Sequence, residues 1–205
     1  MDEHHQMLER VYHLTSPTER ESLYDEWAGK YDQDLLGGLA YVAPRVTAER
    51  FAALVRPDAT VLDAGCGTGL VGEELAARGF GTIDGIDISQ GMLDQAAAKG
   101  CYRAVERADL TARLPFDDNA YDATICVGTL TEGHVGPEAL DELLRVTRDR
   151  VVVAILTRIW EPLGYQAYVA DLESRGAARL VEADERPCVE DENCRVCVIE
   201  PLERR

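Results

Sequence analysis

Residues 61–70 form an apolar run that ends in aspartate and continues into three closely spaced glycines, with the sequence Val61-Leu62-Asp63-Ala64-Gly65-Cys66-Gly67-Thr68-Gly69-Leu70. A helical pattern follows. Glycines at this spacing let the backbone turn sharply and approach a ligand closely, because they carry no Cβ. The helix after them directs free N–H groups and a partial positive charge at the turn. The stretch therefore predicts a nucleotide-type pocket at the carboxyl end of a parallel strand.

Two classes of ligand fit the glycines alone. The residues from Gly67 to Gly72 also match G-x-G-x-x-G, and Asp87 lies twenty residues beyond Gly67, as in a dinucleotide-binding fingerprint. A dinucleotide turn presents N–H groups to a pyrophosphate, and Asp63, just ahead of the turn, would repel that anion. S-adenosylmethionine carries a sulfonium and an ammonium and no phosphate. The carboxylate of Asp63 therefore favours S-adenosylmethionine over NAD(P).

The sequence D-A-G-C-G-T-G at residues 63–69 resembles motif I of the class I S-adenosylmethionine-dependent methyltransferases. The resemblance covers about residues 20–200. It implies one doubly wound, Rossmann-like α/β unit with a seven-stranded sheet whose last strand is antiparallel. We expect residues 1–56 to form N-terminal helices that act as a lid and shape the acceptor pocket, and residues 57–205 to form the cofactor-binding core.

The later part of the chain is predicted to form a helix, a strand and a terminal hairpin. Pro137–Arg148 has the pattern of a helix, and Arg150–Thr157 is an apolar run typical of a central parallel strand. Leu180–Ala183 and Arg195–Glu200 are predicted to form a terminal hairpin with a polar turn between them.

The composition limits the substrates and partners that the protein can have. The 205 residues carry a net charge of −17, and the sequence has no Lys/Arg cluster that could attract a phosphate backbone. This charge argues against a nucleic-acid substrate. We expect a small-molecule acceptor. No apolar run approaches the length of a transmembrane helix, and the charged N-terminus does not resemble a signal peptide. These features predict a cytoplasmic protein without a membrane partner, as a monomer or homodimer.

The six cysteines are expected to be reduced structural thiols. Cys194-x-x-Cys197 has the spacing of a zinc-ligand pair, but a structural zinc site usually needs four ligands and no fourth is evident nearby. Residues i and i+3 of a strand also point to opposite faces. No metal site is predicted.

An aromatic stripe precedes the glycines, with Tyr24, Trp27 and Tyr31 at helical spacing. A buried core face is one interpretation. The other is an aromatic lid over a sulfonium, where cation–π attraction is available. The segment Y-D-E-W-A-G-K-Y-D resembles a stretch that precedes motif I in many small-molecule methyltransferases, which implies a lid with Tyr31 as the ligand contact.

The resemblance assigns the other cofactor contacts. Asp87 ends the second strand and is placed to accept both ribose hydroxyls. Ile88 and Met92 supply apolar walls for adenine, Asp109 accepts its amino group and Leu110 covers the ring, although plain core or turn roles explain these residues too. The predicted cofactor contacts are Tyr31, Asp63, Gly65, Cys66, Gly67, Thr68, Gly69, Leu70, Asp87, Ile88, Met92, Asp109, Leu110, Val127 and Gly128.

The glycine-rich loop after the fourth strand is the expected place for reactive groups. His134 is the only histidine outside the first 13 residues, and its ordinary pKa suits a general base, with a structural hydrogen bond as the alternative role. The segment V-G-T-L-T-E-G-H-V resembles Williams–Beuren-region methyltransferase-like proteins. Glu132 is a weaker base candidate. The predicted acceptor pocket comprises Tyr24, Trp27, Thr129, Glu132, His134, Arg158, Trp160 and Tyr165.

Two other functions remain open. A protein of the same fold can bind the cofactor without transferring methyl, or catalyse a different reaction with it. The other is an NAD(P)-dependent oxidoreductase, which the glycine spacing allows and Asp63 disfavours.

Overall fold

The computed structural model describes residues 17–38, 40–132, 135–189 and 191–202. In these ranges the chain forms one seven-stranded sheet in the order β3-β2-β1-β4-β5-β7-β6. The first five strands are parallel, and β7 runs antiparallel between β5 and β6. The strands are β1 Val61–Ala64, β2 Ile83–Asp87, β3 Ala104–Arg107, β4 Tyr121–Val127, β5 Thr147–Leu156, β6 Ala178–Val189 and β7 Glu192–Pro201. The predicted fold is confirmed.

Helices connect these strands and cover both faces of the sheet. The α-helices are α1 Pro17–Trp27, α2 Ala43–Ala52, α3 Leu70–Ala77, α4 Gln90–Ala98, α5 Ala139–Val146 and α6 Tyr165–Ser174, with a π-helical segment at Gln33–Gly38 and a 3-10 turn at Thr157–Ile159. Among the described residues, no helix has the length and hydropathy needed to cross a bilayer.

Central strands are buried on both faces, which explains their continuous apolar sequence. Along β5, Val151 and Val153 pack in the cluster that includes α5 and α6, whereas Val152 packs in the cluster that includes α2 and α3. β1 alternates in the same way through Val61 and Leu62. The glycine loop therefore leaves a strand that is held from both sides.

Helix α5 ends earlier than the predicted boundary at Arg148. Thr147 already has extended backbone angles (φ −108°, ψ 135°) and pairs with Tyr121 as the first residue of β5. Its hydroxyl donates to the carbonyl of Leu143 at 2.6 Å, so the side chain caps the helix that the backbone has just left. The helical pattern did not reveal this abrupt change, because Arg148 and Asp149 are exposed and carry no burial signal.

The terminal hairpin is longer than predicted. β6 and β7 begin or end well outside the apolar segments at 180–183 and 195–200. The additional residues of β6 include several charged ones, because it is the edge strand, and cross-strand ion pairs such as Arg195 with Glu185 (3.0 Å) stabilise them. Charged edge strands also resist pairing with other chains.

Two aspartates attach the lid segment, defined as residues 17–38, to the core. One carboxylate oxygen of Asp25 accepts the hydroxyl of Ser89 at 2.5 Å and the backbone N–H of Gly91 at 2.9 Å. Asp32 accepts the hydroxyl of Thr68 in the glycine loop and an ion pair from Lys99 at 2.8 Å. The lid segment is therefore bound both to the start of α4 and to the glycine loop.

The Asp25 contact can be tested without disturbing the sheet. Asp25→Ala removes two hydrogen bonds at the start of α4, and we expect about 1 kcal/mol less stabilisation of the closed lid. Amide hydrogen exchange in residues 17–38 should then become about fivefold faster, while exchange in β1 stays unchanged. Ser22→Ala, at an exposed position of the same helix, is the control. Equal exchange in both variants would contradict the role assigned to Asp25.

Candidate active site

The glycine loop turns from β1 across the end of β2. The N–H groups of Gly65 and Cys66 both donate to the carbonyl oxygen of Ile86, at 2.8 and 2.9 Å. Gly65 has φ +77°, and a Cβ there would lie 2.0 Å from the hydroxyl oxygen of Thr129. Only glycine fits this contact, because a side chain would collide with the loop that follows β4.

Asp87 lies at the end of β2, beside this loop. Its two oxygens accept the N–H groups of Gly67 and Ser89, each at 3.0 Å. Burial raises the pKa of Asp87, and these backbone donors oppose the rise. An ionised carboxylate has about four lone-pair sites. Asp87 can therefore accept further hydrogen bonds from a ligand diol.

Asp63 is placed differently from the expected direct contact. It is fully buried behind the glycine loop, where it accepts the hydroxyl of Tyr102 at 2.6 Å. The same hydroxyl accepts the N–H of Gly72 in the first turn of α3 at 3.2 Å. A Cβ at Gly72 would lie 2.3 Å from the Tyr102 ring, so the third glycine of G-x-G-x-x-G makes room for this tyrosine. One N–H group of the helix terminus is therefore bonded inside the protein.

A first cavity opens in front of this loop. Its wall includes most of the predicted cofactor contacts, namely Tyr31, Gly65, Gly67, Asp87, Ile88, Met92, Asp109, Leu110, Val127 and Gly128. The structure thus brings the ends of β1, β2 and β4, the start of α4 and the lid segment to one space.

The remaining predicted cofactor residues do not line this cavity. Besides Asp63, these are Cys66, Thr68, Gly69 and Leu70. Cys66 packs against α4 in a small apolar cluster, and Thr68 donates to Asp32 of the lid segment. Gly69 approaches Tyr102, and Leu70 borders a depression on the outer side of α3. Their contact with the cofactor therefore stays a prediction.

A second cavity adjoins the first. Tyr24, Tyr31 and Gly128 line both cavities, and Trp27 lines only the second. The other residues of the second wall are Leu35, Tyr41, Ala43, Leu130, Thr131, Ala154, Leu156, Cys188 and Val189. The two spaces therefore meet at the lid tyrosines and at the residue that follows β4.

The aromatic stripe combines both of its possible roles. Trp27 is buried with Leu23 and Leu35, its ring lies edge-on to Tyr31 with centroids 4.7 Å apart, and its indole N–H donates to Asp34 at 2.7 Å. Tyr24 and Tyr31 instead face the cavities. The stripe is thus a small core that supports a ligand-facing edge.

Several predicted acceptor residues lie elsewhere. Trp160 and Tyr165 are buried in the main core, where Tyr165 donates to the carbonyl of Val135 at 2.8 Å, so their assignment to the pocket is corrected. Arg158 forms ion pairs with Glu132 and, at 3.2 Å, with Glu192. Thr129 lines the first cavity rather than the second. His134 lies outside the described residues, so its role stays a prediction.

The cysteines of the hairpin divide between the faces of the sheet, as strand geometry predicts. Cys194 and Cys188 pack in the cluster that faces α2 and α3, and Cys197 packs in the opposite cluster. Cys194 and Cys197 therefore cannot bind one ion together.

Four functional residues were missed by the sequence reasoning: Asp25, Asp32, Tyr41 and Tyr102. A signal existed for two of them, because the dipeptide Tyr-Asp recurs at 24–25 and 31–32, seven residues apart. Seven residues are about two turns of a continuous helix, which would place both aspartates on one side, although in the structure α1 ends at Trp27 between them. Tyr41 and Tyr102 gave no comparable signal, since their roles depend on glycines far away in sequence.

Asp63 gives the site a testable pH dependence. Burial raises its pKa to about 7, and its Oδ1 has no hydrogen-bond partner among the described residues. Because the folded pKa exceeds the ordinary value of 3.8, the folded state holds the extra proton between pH 4 and 7. Asp63 therefore lowers the stability as the pH rises through that range, by up to about 4 kcal/mol at about 1.4 kcal/mol per pKa unit.

We expect Asp63→Asn to remove this loss, so that the variant gains stability relative to wild type between pH 5 and pH 8 in urea unfolding. Asp122→Asn is the control. Hydrogen bonds from Thr60 lower the pKa of Asp122 below its ordinary value of 3.8, so its stabilisation is the same at pH 5 and pH 8 and is lost only in stronger acid. A stability difference for Asp63→Asn that is the same at both pH values would refute the raised pKa.

Comparisons with known proteins agree with this geometry. A methyltransferase-domain family model matches residues 61–150. The chain is 42% identical over 139 residues to methyltransferase-like protein 27 of Homo sapiens, a match that covers 66% of this chain and 56% of that protein. It is 34% identical over 152 residues to demethylmenaquinone methyltransferase of Beutenbergia cavernae, covering 71% and 62%. A shorter match, 40% identical over 70 residues, covers 34% of the chain and 25% of the 18S rRNA (guanine-N(7))-methyltransferase of Bos taurus.

The fold resembles that of a TehB-like S-adenosylmethionine-dependent methyltransferase from Corynebacterium glutamicum, with a TM-score of 0.65 and 22% identity over 88% of this chain and 98% of that chain. The chain spans 56% and 62% of the length of the first two relatives. These findings confirm the resemblance carried by residues 63–69, and with it S-adenosylmethionine as the cofactor of the family. The chain belongs to the class I S-adenosylmethionine-dependent methyltransferases.

Proposed function

We propose that this protein transfers a methyl group from S-adenosylmethionine to a small-molecule acceptor. The observation that supports the proposal most strongly is the meeting of two cavities at Tyr24, Tyr31 and Gly128. One cavity has the groups that a nucleoside needs, and the other has none of them. A cofactor in the first cavity and an acceptor in the second would therefore face each other across the same three residues.

The residues of the first cavity fit S-adenosylmethionine. Asp87 retains lone-pair sites for the ribose diol, and Ile88, Met92 and Leu110 offer apolar contact to adenine. Asp109 uses one oxygen to accept the N–H of Thr111 at 2.8 Å, which fixes the carboxylate at the rim and leaves its second oxygen for an amino group.

Catalysis in this proposal comes mainly from positioning. When bound, S-adenosylmethionine supplies a methyl group on a sulfonium sulfur, which an acceptor atom displaces. The tyrosines of the lid segment offer their ring faces to a cation and close the space above the junction of the cavities. Holding the acceptor in line with the methyl carbon accounts for much of the rate. His134 remains the predicted base for acceptors that must lose a proton.

A small acceptor is favoured over nucleic acid by charge and by enclosure. The net charge of −17 repels a phosphate backbone, and the second cavity lies under the fastened lid segment. The 18S rRNA (guanine-N(7))-methyltransferase matches only 34% of this chain. The proposal includes a cytoplasmic monomer or homodimer, in which residues 1–56 supply the lid.

A direct test incubates the full chain with S-adenosylmethionine and a panel of small acceptors, and measures S-adenosylhomocysteine by mass spectrometry. We expect formation above the acceptor-free background with at least one small acceptor. Cofactor binding without product from any acceptor would favour the non-methylating alternative. Product formed only with an rRNA transcript would contradict the small-molecule assignment.

The role of Asp87 has its own test. Asp87→Ala removes charge-assisted hydrogen bonds, and we expect S-adenosylhomocysteine affinity to fall by about 1–3 kcal/mol, or about 5- to 150-fold, in calorimetry. Asp84→Ala is the matched control, because Asp84 lies on the same strand but pairs with Arg103 outside the cavity. An unchanged dissociation constant for Asp87→Ala, or an equal loss in both variants, would refute the ribose contact.

A further inference from the structure

The wall of the second cavity contains no charged side chain among the described residues. Its thirteen residues are aromatic, aliphatic, glycine, threonine and cysteine. This is unusual in a chain in which 29% of the residues are charged. Moving an ion from water into such a space, without a partner of opposite charge, is strongly unfavourable. The wall therefore disfavours anionic groups such as carboxylates and phosphates.

Tyr41 places a hydroxyl group at the junction of the two cavities. Its ring lines the second cavity, and a Cβ at Gly128 would lie 2.5 Å from its oxygen. Gly128 has φ +75° and lines both cavities, so the close approach depends on the glycine. Burial raises the pKa of Tyr41 well above its ordinary value, which keeps the hydroxyl protonated as a donor.

Thr131 supplies a second polar group in the same wall. Its hydroxyl oxygen is buried and has no hydrogen-bond partner within the described part of the chain. A buried hydroxyl left without a partner costs stability, and most such groups in proteins are satisfied. A ligand oxygen or nitrogen in the second cavity would satisfy it.

We propose that the second cavity binds an uncharged, largely apolar small molecule through the hydroxyl groups of Tyr41 and Thr131, with the methyl-accepting atom beside Gly128. This inference rests on the proposed function and narrows its acceptor class. For a hydroxyl acceptor, an O–C bond to the methyl group forms as the S–C bond breaks. The S–C electron pair stays on sulfur, and the hydroxyl proton passes to a base and then to solvent.

The test compares two probes of similar size on the full chain saturated with S-adenosylhomocysteine, so that the first cavity is already filled. 4-Ethylphenol is neutral at pH 7, and 4-ethylbenzoate is an anion. We expect calorimetry to show binding of the phenol and at least about 100-fold weaker binding of the benzoate. Equal affinity for both compounds, or binding of neither, would overturn the proposal.

Variants locate the bound phenol. Tyr41→Phe and Thr131→Val each remove one hydroxyl and keep the side-chain shape, and we expect each to weaken 4-ethylphenol about 3- to 10-fold. Tyr168→Phe is the control, because Tyr168 bonds to Asp141 on the opposite side of the sheet. A titration with S-adenosylhomocysteine verifies that each variant is folded. Unchanged phenol affinity in both cavity variants would also overturn the proposal.

Turnover separates this inference from the proposed function. S-adenosylhomocysteine formed only from charged acceptors would refute the uncharged class and leave methyl transfer standing. The expected binding pattern without product from any neutral or charged acceptor would refute methyl transfer and leave the cavity assignment standing.

Discussion

The arrangement of the site depends on one shared hydrogen-bond acceptor. The N–H groups of Gly65 and Cys66 both bond to the carbonyl of Ile86, which fixes the glycine loop across the end of β2. This contact brings Gly67 within reach of Asp87, and the left-handed backbone of Gly65 leaves room for Thr129. The ends of three parallel strands are thereby joined around one space, where doubly wound sheets place their ligands.

Some acidic side chains of this region stabilise the structure, and others face the first cavity. Asp63 is held by Tyr102 behind the loop, while Asp25 and Asp32 bind the lid segment to α4 and to the loop. Only Asp87 and Asp109 reach the first cavity, and the second contains no carboxylate among its described residues. The hydroxyl oxygen of Tyr102 accepts the N–H of Gly72 in α3, and the same hydroxyl donates to the buried carboxylate of Asp63.

The parts of the fold with strong local signals could be predicted from the sequence. Gly79 follows α3 in a left-handed conformation, and Ser89 caps α4 by accepting the N–H of Met92 at 3.1 Å. Strand β4 ends at Val127, directly before the glycine-rich loop that was predicted to follow the fourth strand. The extent of β6 could not be predicted, because ion pairs rather than apolar alternation stabilise its outer half.

The residues of the site also divide into those that could be predicted from the sequence and those that could not. Residues next to the glycines and at strand ends were predictable because topology alone brings them together. The position of Asp63 was not, since it depends on Tyr102, which follows 39 residues later and fits only because Gly72 and Gly85 have no side chain. Trp160 and Tyr165 follow a strand end but turn into the core, where a large aromatic ring buries more apolar surface than it would at the rim.

The most direct test of this account is a crystal structure of the protein with S-adenosylhomocysteine. The account predicts a ribose bonded to Asp87, adenine between Met92 and Leu110, and the sulfur at the junction beside Tyr31 and Gly128, facing the second cavity. A ligand whose sulfur points away from that cavity, or a nucleotide whose phosphates bind at the glycine loop in its place, would contradict it.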